Sequence, residues 1–271
     1  MECKTFALGE GIFANAKLTT YVHVQAEDCP HPPRAAMLVL PGGGYAFCSS
    51  REAEPIALAY ANAGMNAYVL DYSVKEKAKF PQPLLEASRA MKYIRDHAKE
   101  DNTDPTRVFV IGFSAGGHLA SALATRWHHA EIQTAAGVTG EENKPTGAIL
   151  SYAVINGGTT RHVGTFVNLS GSPDPSEEVR MQLSNDLQVD ANTPPCFLWH
   201  TADDPVVPVQ NSLLMASALT EQKIPYELHI FPHGPHGLSL CNEETSVGNP
   251  DLISPSVGEW LPLSLTWLRS F

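Results

Sequence analysis

Apolar residues in this chain gather into short unbroken runs, and between the runs they recur at helical spacing. Residues 35–40, 66–72 and 196–201 are strand-length apolar runs, the pattern expected of strands buried on both faces of a parallel sheet. Residues 147–155 and 225–231 read as two further strands. An earlier stretch, 21–26 (Tyr-Val-His-Val-Gln-Ala), alternates and is β-rich, which predicts an antiparallel strand. His23 on that strand reads as a surface or partly packed side chain. Helical spacing covers 51–63, ending at Gly64, and 84–99, where Leu84, Leu85, Ala87, Ala90, Met91, Ile94 and Ala98 share one side. Helices are also expected over 209–222 and, despite Pro262, over 256–271. Strands alternating with helices predict one doubly wound α/β domain spanning 1–271, its sheet mostly parallel with helices on both faces.

One segment breaks the alternation. Residues 156–195 are long and irregular, carrying Gly157-Gly158, Gly171, Pro173, Pro175 and the acidic pair Glu177-Glu178, with a short helix expected at 181–187. Such a segment inside a compact domain is usually a lid or a substrate-binding insertion.

The run Val108-Phe109-Val110-Ile111 stops at Gly112, Ser114 sits two residues on, and a helical pattern follows to about residue 129. Strand, sharp turn and helix around G-x-S-x-G is the setting in which a strained backbone lifts a serine hydroxyl out of a sheet. The turn Asp104-Pro105-Thr106-Arg107 feeds this strand. The 35–40 run ends in Pro41-Gly42-Gly43-Gly44-Tyr45. Three glycines cost conformational entropy on folding and pack nothing, so their use is to let backbone N–H groups approach a ligand. The pattern lacks the phosphate-binding signatures G-x-x-x-x-G-K-[ST] and G-x-G-x-x-G.

Composition narrows the classes. Apolar residues make up 43% and charged residues 17%, ordinary for a domain with a sizeable core. A formal net charge of −11 argues against nucleic-acid and anionic-membrane partners. Five scattered cysteines without a C-x-x-C pair argue against a disulfide framework or a zinc site. With no leader-like pattern at the N-terminus, they predict a cytoplasmic setting. The adjacent His128-His129 could bind metal, but a helix C-terminus explains it better.

A serine hydroxyl needs a base within hydrogen-bond reach, and the base needs a carboxylate to orient it. Both follow Ser114 in the order Ser, Asp, His, each after a predicted strand. The acid is Asp203 or Asp204; Asp204-Pro205-Val206-Val207-Pro208 has the D-x-x-V-P spacing of an acid loop, which favours Asp204. The base is His233 or His236, and both precede glycine.

Gly112-Phe113-Ser114-Ala115-Gly116-Gly117-His118-Leu119-Ala120, the Pro41–Tyr45 loop, His200–Pro208 and Gly234-Pro235-His236-Gly237 together resemble the α/β-hydrolase superfamily over nearly the whole chain. The similarity is greatest to the acetyl esterase and acetylxylan or feruloyl esterase branch. Pro41 stands where the hormone-sensitive-lipase branch has histidine. By position the resemblance implies Ser114 as nucleophile, Asp204 as acid and His236 as base. It also implies an oxyanion hole of Gly43, Gly44 and Ala115. The implied activity is acyl transfer from short esters, with acetyl groups on sugars or xylo-oligosaccharides as the implied substrates, no cofactor or metal, and a small-molecule ester as the partner. A peptidase or lipase remains open within this class, and a non-catalytic small-ligand binder outside it.

Overall fold

In the computed structural model, which describes residues 1–271, one eight-stranded sheet runs through the molecule. Its strands in chain order are β1 (Glu2–Ala7), β2 (Lys17–Val22), β3 (Arg34–Leu40), β4 (Asn66–Asp71), β5 (Thr103–Phe113), β6 (Ala148–Ser151), β7 (Cys196–Thr201) and β8 (Tyr226–Phe231). They lie in the order β1-β2-β4-β3-β5-β6-β7-β8, parallel throughout except where β2 pairs with β1 and β4. The parallel strands therefore all end at one edge. Helices α1 (Glu54–Asn62), α2 (Gln82–Asp96), α3 (Ala115–Arg126) and α4 (Ala130–Ala136) precede β6. Helices α5 (Val163–Ser170) and α6 (Glu177–Gln182) fall between β6 and β7, and α7 (Gln210–Glu221) precedes β8. A C-terminal helix, Trp260–Leu268, closes the chain.

The pleat divides the core. Ala36, Leu38 and Leu40 of β3 join Val108 and Val110 of β5 on the face covered by α2 and α3. Ala35, Met37 and Val39 join Phe109, Ile111 and Phe113 on the other face, with α1 and the C-terminal helix. Period-two alternation with both faces apolar is what turned these strands into unbroken apolar runs.

Several expected boundaries move. The early strand is Lys17–Val22 rather than 21–26, because its ladder to β4 begins at Lys17 opposite Asp71 and includes Leu18. Strand β1 was not read from sequence: it is an edge strand exposed except at Phe6, which packs against Tyr93. The turn at 104–107 lies inside β5, where Asp104 Oδ1 accepts the Thr106 N–H at 2.9 Å and the β3–β5 register shifts. The helix after Ser114 stops at Arg126, and a separate α4 follows. The strand read at 147–155 spans only Ala148–Ser151, since Tyr152 leaves the extended region at φ 35°. The short helix expected at 181–187 does not form: α6 ends at Gln182 and only a 3-10 turn, Asp186–Gln188, follows, because the Ser176 hydroxyl starts the helix earlier by accepting the Val179 N–H at 3.3 Å. The acidic pair Glu177-Glu178 occupies the first turn of α6, where the helix dipole favours negative charge.

Buried polar groups fasten the 156–195 segment to the sheet. All of α3 is buried, so its polar side chains need partners. His118 Nε2–H donates to Leu183 O at 2.8 Å, and Arg126 donates to Asn185 Oδ1 and to Gln182 O. Asn185 Nδ2 returns a bond to His118 O at 2.8 Å. From α7, Asn211 Oδ1 accepts the Ile155 and Asn156 N–H groups.

Candidate active site

Ser114 sits at the tip of β5 with φ 52° and ψ −117°, a backbone region costing a non-glycine residue roughly 1–3 kcal/mol. Its neighbours hold it there. Ser114 N–H donates to Ser151 O at 3.0 Å, and its carbonyl accepts the N–H groups of His118 and Val154, each at 3.0 Å. Three glycines make the turn possible. A methyl on Gly112 would overlap Gly116 O, and one on Gly116 would overlap the carbonyl oxygens of Leu40 and Pro41. On Gly117 it would lie 2.5 Å from the Ala153 methyl.

The loop after β8 brings His236 over the serine, with Nε2 2.8 Å from Ser114 Oγ. His236 Nδ1 is 2.7 Å from Asp204 Oδ2. A carboxylate only accepts, so Nδ1 carries the proton and Nε2 is left to accept the serine hydroxyl. Asp204 Oδ1 accepts the N–H groups of Val206 at 2.8 Å and Val207 at 2.9 Å. His200, buried on β7, points Nε2–H at Val207 O (2.9 Å) and lies 3.4 Å from Asp204 Oδ2; its Nδ1 takes the Ser212 hydroxyl. Burial alone would raise the Asp204 pKa. Hydrogen bonds from His200, His236 and the Val207 N–H outweigh burial and hold the carboxyl well below the usual carboxylate range.

The neighbouring Asp203 and His233 form a second pair, 2.9 Å apart, with Asp203 Oδ1 accepting the Gly234 N–H. This pair is on the surface: the His233 side chain is 85% exposed, against 16% for His236. Of the four residues weighed from sequence, only His236 bonds to Ser114, and only Asp204 bonds to His236.

Gly43 and Gly44 border the same cleft as Ser114 and His236, a space of about 400 Å³. Both hold positive φ, 123° and 64°. Their neighbour Gly42 gives its N–H to Glu52 Oε2 at 2.8 Å, whereas neither the Gly43 nor the Gly44 N–H donates within the chain. Ala115 opens α3, so no carbonyl one turn back in the helix accepts its N–H. The Gly43 and Gly44 N–H groups have no acceptor within the chain.

Sequence reasoning passed over the supports of this loop. Glu52 is 4% exposed, and its Oε1 accepts the Tyr152 hydroxyl at 2.6 Å. Tyr152 OH in turn accepts the Ser239 N–H at 3.0 Å, and the ring meets the His236 ring edge to face at 5.0 Å. Burial and the Glu52 charge push the Tyr152 phenol well above its ordinary range, so it remains a donor. Arg51 Nη2 donates to Gly237 O at 2.8 Å. Glu52 and Arg51 therefore tie the glycine loop to the loop bearing His236. From α5, Asn168 Nδ2 donates to Gly44 O at 2.8 Å, and His162 borders the cleft. No local signal marked these residues, since a glutamate or histidine between helix and loop reads the same whether exposed or buried.

The 128–129 histidines go elsewhere. His128 pairs with Asp190 at 3.1 Å and His129 with Glu131 at 3.5 Å. No group of three potential metal ligands is found in the chain. His23 lies just past the end of β2, half-buried as expected, with Nε2 2.9 Å from Ala61 O.

A parallel sheet reversed at one edge, a strained serine after β5, and an aspartate after β7 bonded to a histidine after β8 fit the α/β-hydrolase fold. Comparison with known proteins narrows this. The BD-FAE family profile matches residues 28–219, and the chain belongs to that family. It is 43% identical over 216 residues to endo-1,4-beta-xylanase B of Butyrivibrio fibrisolvens, covering 78% of this chain and 33% of that protein. It is 28% identical over 237 residues to an acetylxylan esterase of Xylanibacter ruminicola, covering 85% of this chain and 46% of the relative. The chain thus spans less than half the length of these two curated relatives. Among solved structures, an acetyl ester-xyloside bifunctional hydrolase from Caldicellulosiruptor lactoaceticus superposes with a TM-score of 0.81 at 35% identity. That match covers 98% of this chain and 96% of the other.

Proposed function

We propose that this chain is a serine carboxylic-ester hydrolase that removes short acyl groups, acetyl foremost, from sugars or xylo-oligosaccharides. The observation that carries the reading is the continuous relay from Ser114 Oγ to His236 Nε2 at 2.8 Å and from His236 Nδ1 to Asp204 at 2.7 Å. Ser114 Oγ attacks the ester carbonyl while its proton passes to His236 Nε2. The N–H groups of Gly43, Gly44 and Ala115 stabilise the oxyanion, each such donor being worth about 10²–10³ in rate. Collapse breaks the bond to the alcohol, which leaves with the proton from His236. Water, deprotonated by His236, then cleaves the acyl-serine and restores the hydroxyl. The acetyl preference and the sugar alcohol rest on the names of the xylan-related relatives.

The 156–195 segment acts in this reading as one wall of the cleft within a single domain, through His162 and Asn168. No helix is long and apolar enough to cross a membrane. All five cysteines are free thiols, which supports a reducing, cytoplasmic setting.

The test is hydrolysis of p-nitrophenyl acetate, butyrate and octanoate by wild type and Ser114→Ala, alongside acetate release from acetylated xylo-oligosaccharides. The reading predicts fastest turnover of the acetate ester, release of acetate from the oligosaccharide, and loss of both with Ser114→Ala. Fastest turnover of the octanoate ester would make it a lipase. Equal rates for wild type and Ser114→Ala would remove the esterase reading altogether.

A further inference from the structure

His162 occupies the N-cap of α5, a position that serine, threonine, aspartate or asparagine fills best. Capping uses only one of its two nitrogens. Thr165 N–H donates to Nδ1 at 3.3 Å, with the Thr165 hydroxyl 2.9 Å from the same atom. Nδ1 is therefore the acceptor and Nε2 carries the hydrogen. That Nε2–H has no partner in the chain, and it is not among the buried polar atoms left without one, so it opens to solvent where His162 borders the cleft. Burial, then the nearby His236, lower the His162 pKa, which keeps this neutral tautomer at neutral pH.

The ring is held as well as aimed. Its Cε1 lies 3.4 Å from the place where a Gly44 side chain would begin, so it packs on the glycine loop. Six residues on, Asn168 commits its amide N–H to Gly44 O, leaving its carbonyl oxygen unengaged beside the same cleft. One face of the cleft thus offers a fixed donor and a fixed acceptor. In acyl transfer the base hands its proton to the departing alcohol, so the alcohol half of an ester lies on the His236 side of the serine.

We propose that the His162 Nε2–H, with the Asn168 carbonyl beside it, is a hydroxyl-recognition subsite for the alcohol half of the substrate and makes the site select esters of polyhydroxylated alcohols. This rests on the ester-hydrolase reading above. A histidine suits the role because it caps α5 with one nitrogen and presents the other to the substrate. Serine would cap the helix and present nothing.

That difference supplies the experiment. kcat/KM is measured for glycerol monoacetate and propyl acetate with wild type, His162→Ser and Ser114→Ala, with melting temperatures alongside. Wild type should favour the hydroxylated ester, and in His162→Ser the ratio of the two values should fall about 3- to 10-fold, the worth of one neutral hydrogen bond. The melting temperature should stay near that of wild type, since serine retains the cap. No preference in wild type, an unchanged ratio in the variant, or an equal fall for both esters would overturn the subsite. In the last case His162 would serve only to support the loop. Failure of wild type to cleave either ester, or equal cleavage by Ser114→Ala, would overturn the hydrolase reading and the subsite with it.

Discussion

Asp203 and Asp204 are adjacent, chemically identical and each paired with a histidine, so exchanging each for asparagine isolates what position contributes. In Asp204→Asn the new side chain can keep its oxygen under the Val206 and Val207 N–H groups, which preserves the turn. Its amide then faces His236 Nδ1 with an N–H where a carboxylate oxygen stood. Two donors cannot share that contact, so the imidazole moves its proton to Nε2 and no longer accepts from Ser114. Restoring the working tautomer against an amide costs about 10⁴ in kcat, or roughly 5 kcal/mol of barrier. The Asp204 side chain has no exposed surface through which water could substitute. Asp203 is 53% exposed, and its pair with His233 does not reach Ser114. Asp203→Asn should stay within about twofold of wild type, as surface ion pairs contribute little. Initial rates of p-nitrophenyl acetate hydrolysis at neutral pH, with circular dichroism to verify folding, measure both. A larger loss in Asp203→Asn, or more than a tenth of wild-type kcat in folded Asp204→Asn, would refute the assignment.

Two further outcomes follow from buried positions. Gly116→Ala would drive a methyl into the carbonyl oxygens of Leu40 and Pro41. Backbone yields less than side chains, so the cost should reach the upper end of overpacking, about 3 kcal/mol, seen as a melting temperature roughly 5–10 °C lower; an unchanged melting temperature would contradict the packing described. Burial lowers the His118 pKa to about 4 from the ordinary 6.5. The unfolded chain then binds this proton more readily between those values, so stability is complete above about pH 6.5 and declines as pH falls toward 4, by up to about 3 kcal/mol. The Tyr45 hydroxyl lies 3.1 Å from His118 Nδ1; His118→Gln, which can still donate to Leu183 O and accept from Tyr45, should show a shallower decline in urea melts over that range, and parallel profiles would refute the point.

The two kinds of strand differ in how far they could be read. Strands β3, β4 and β7 are buried on both faces, so sequence and structure agree on them within a residue. Strand β1, exposed except at Phe6, had too little apolar pattern to read. Helix α5 was hidden for another reason. Val163, Gly164, Thr165 and Val167 are poor helix formers, and the helix persists because Phe166 and Leu169 are buried and His162 caps it. At the site, Ser114, the glycine loop and Asp204 were legible because each follows a strand and carries a motif, whereas His233 and His236 share their local setting and only the family resemblance favoured His236. Glu52, Tyr152 and His162 were not legible. Glu52 and Tyr152 act through contacts across 10 and 100 residues of chain, and His162 packs on the distant Gly44, none of which spacing encodes.

A nucleophilic Ser114 becomes acylated during turnover. Intact-protein and peptide mass spectrometry after rapid mixing with p-nitrophenyl acetate at low pH, where deacylation is slow, reads this directly. One added acetyl group is expected, located on the peptide containing Ser114 and missing from Ser114→Ala. An acetyl group on another residue, or turnover without any acyl-enzyme in wild type, would contradict it.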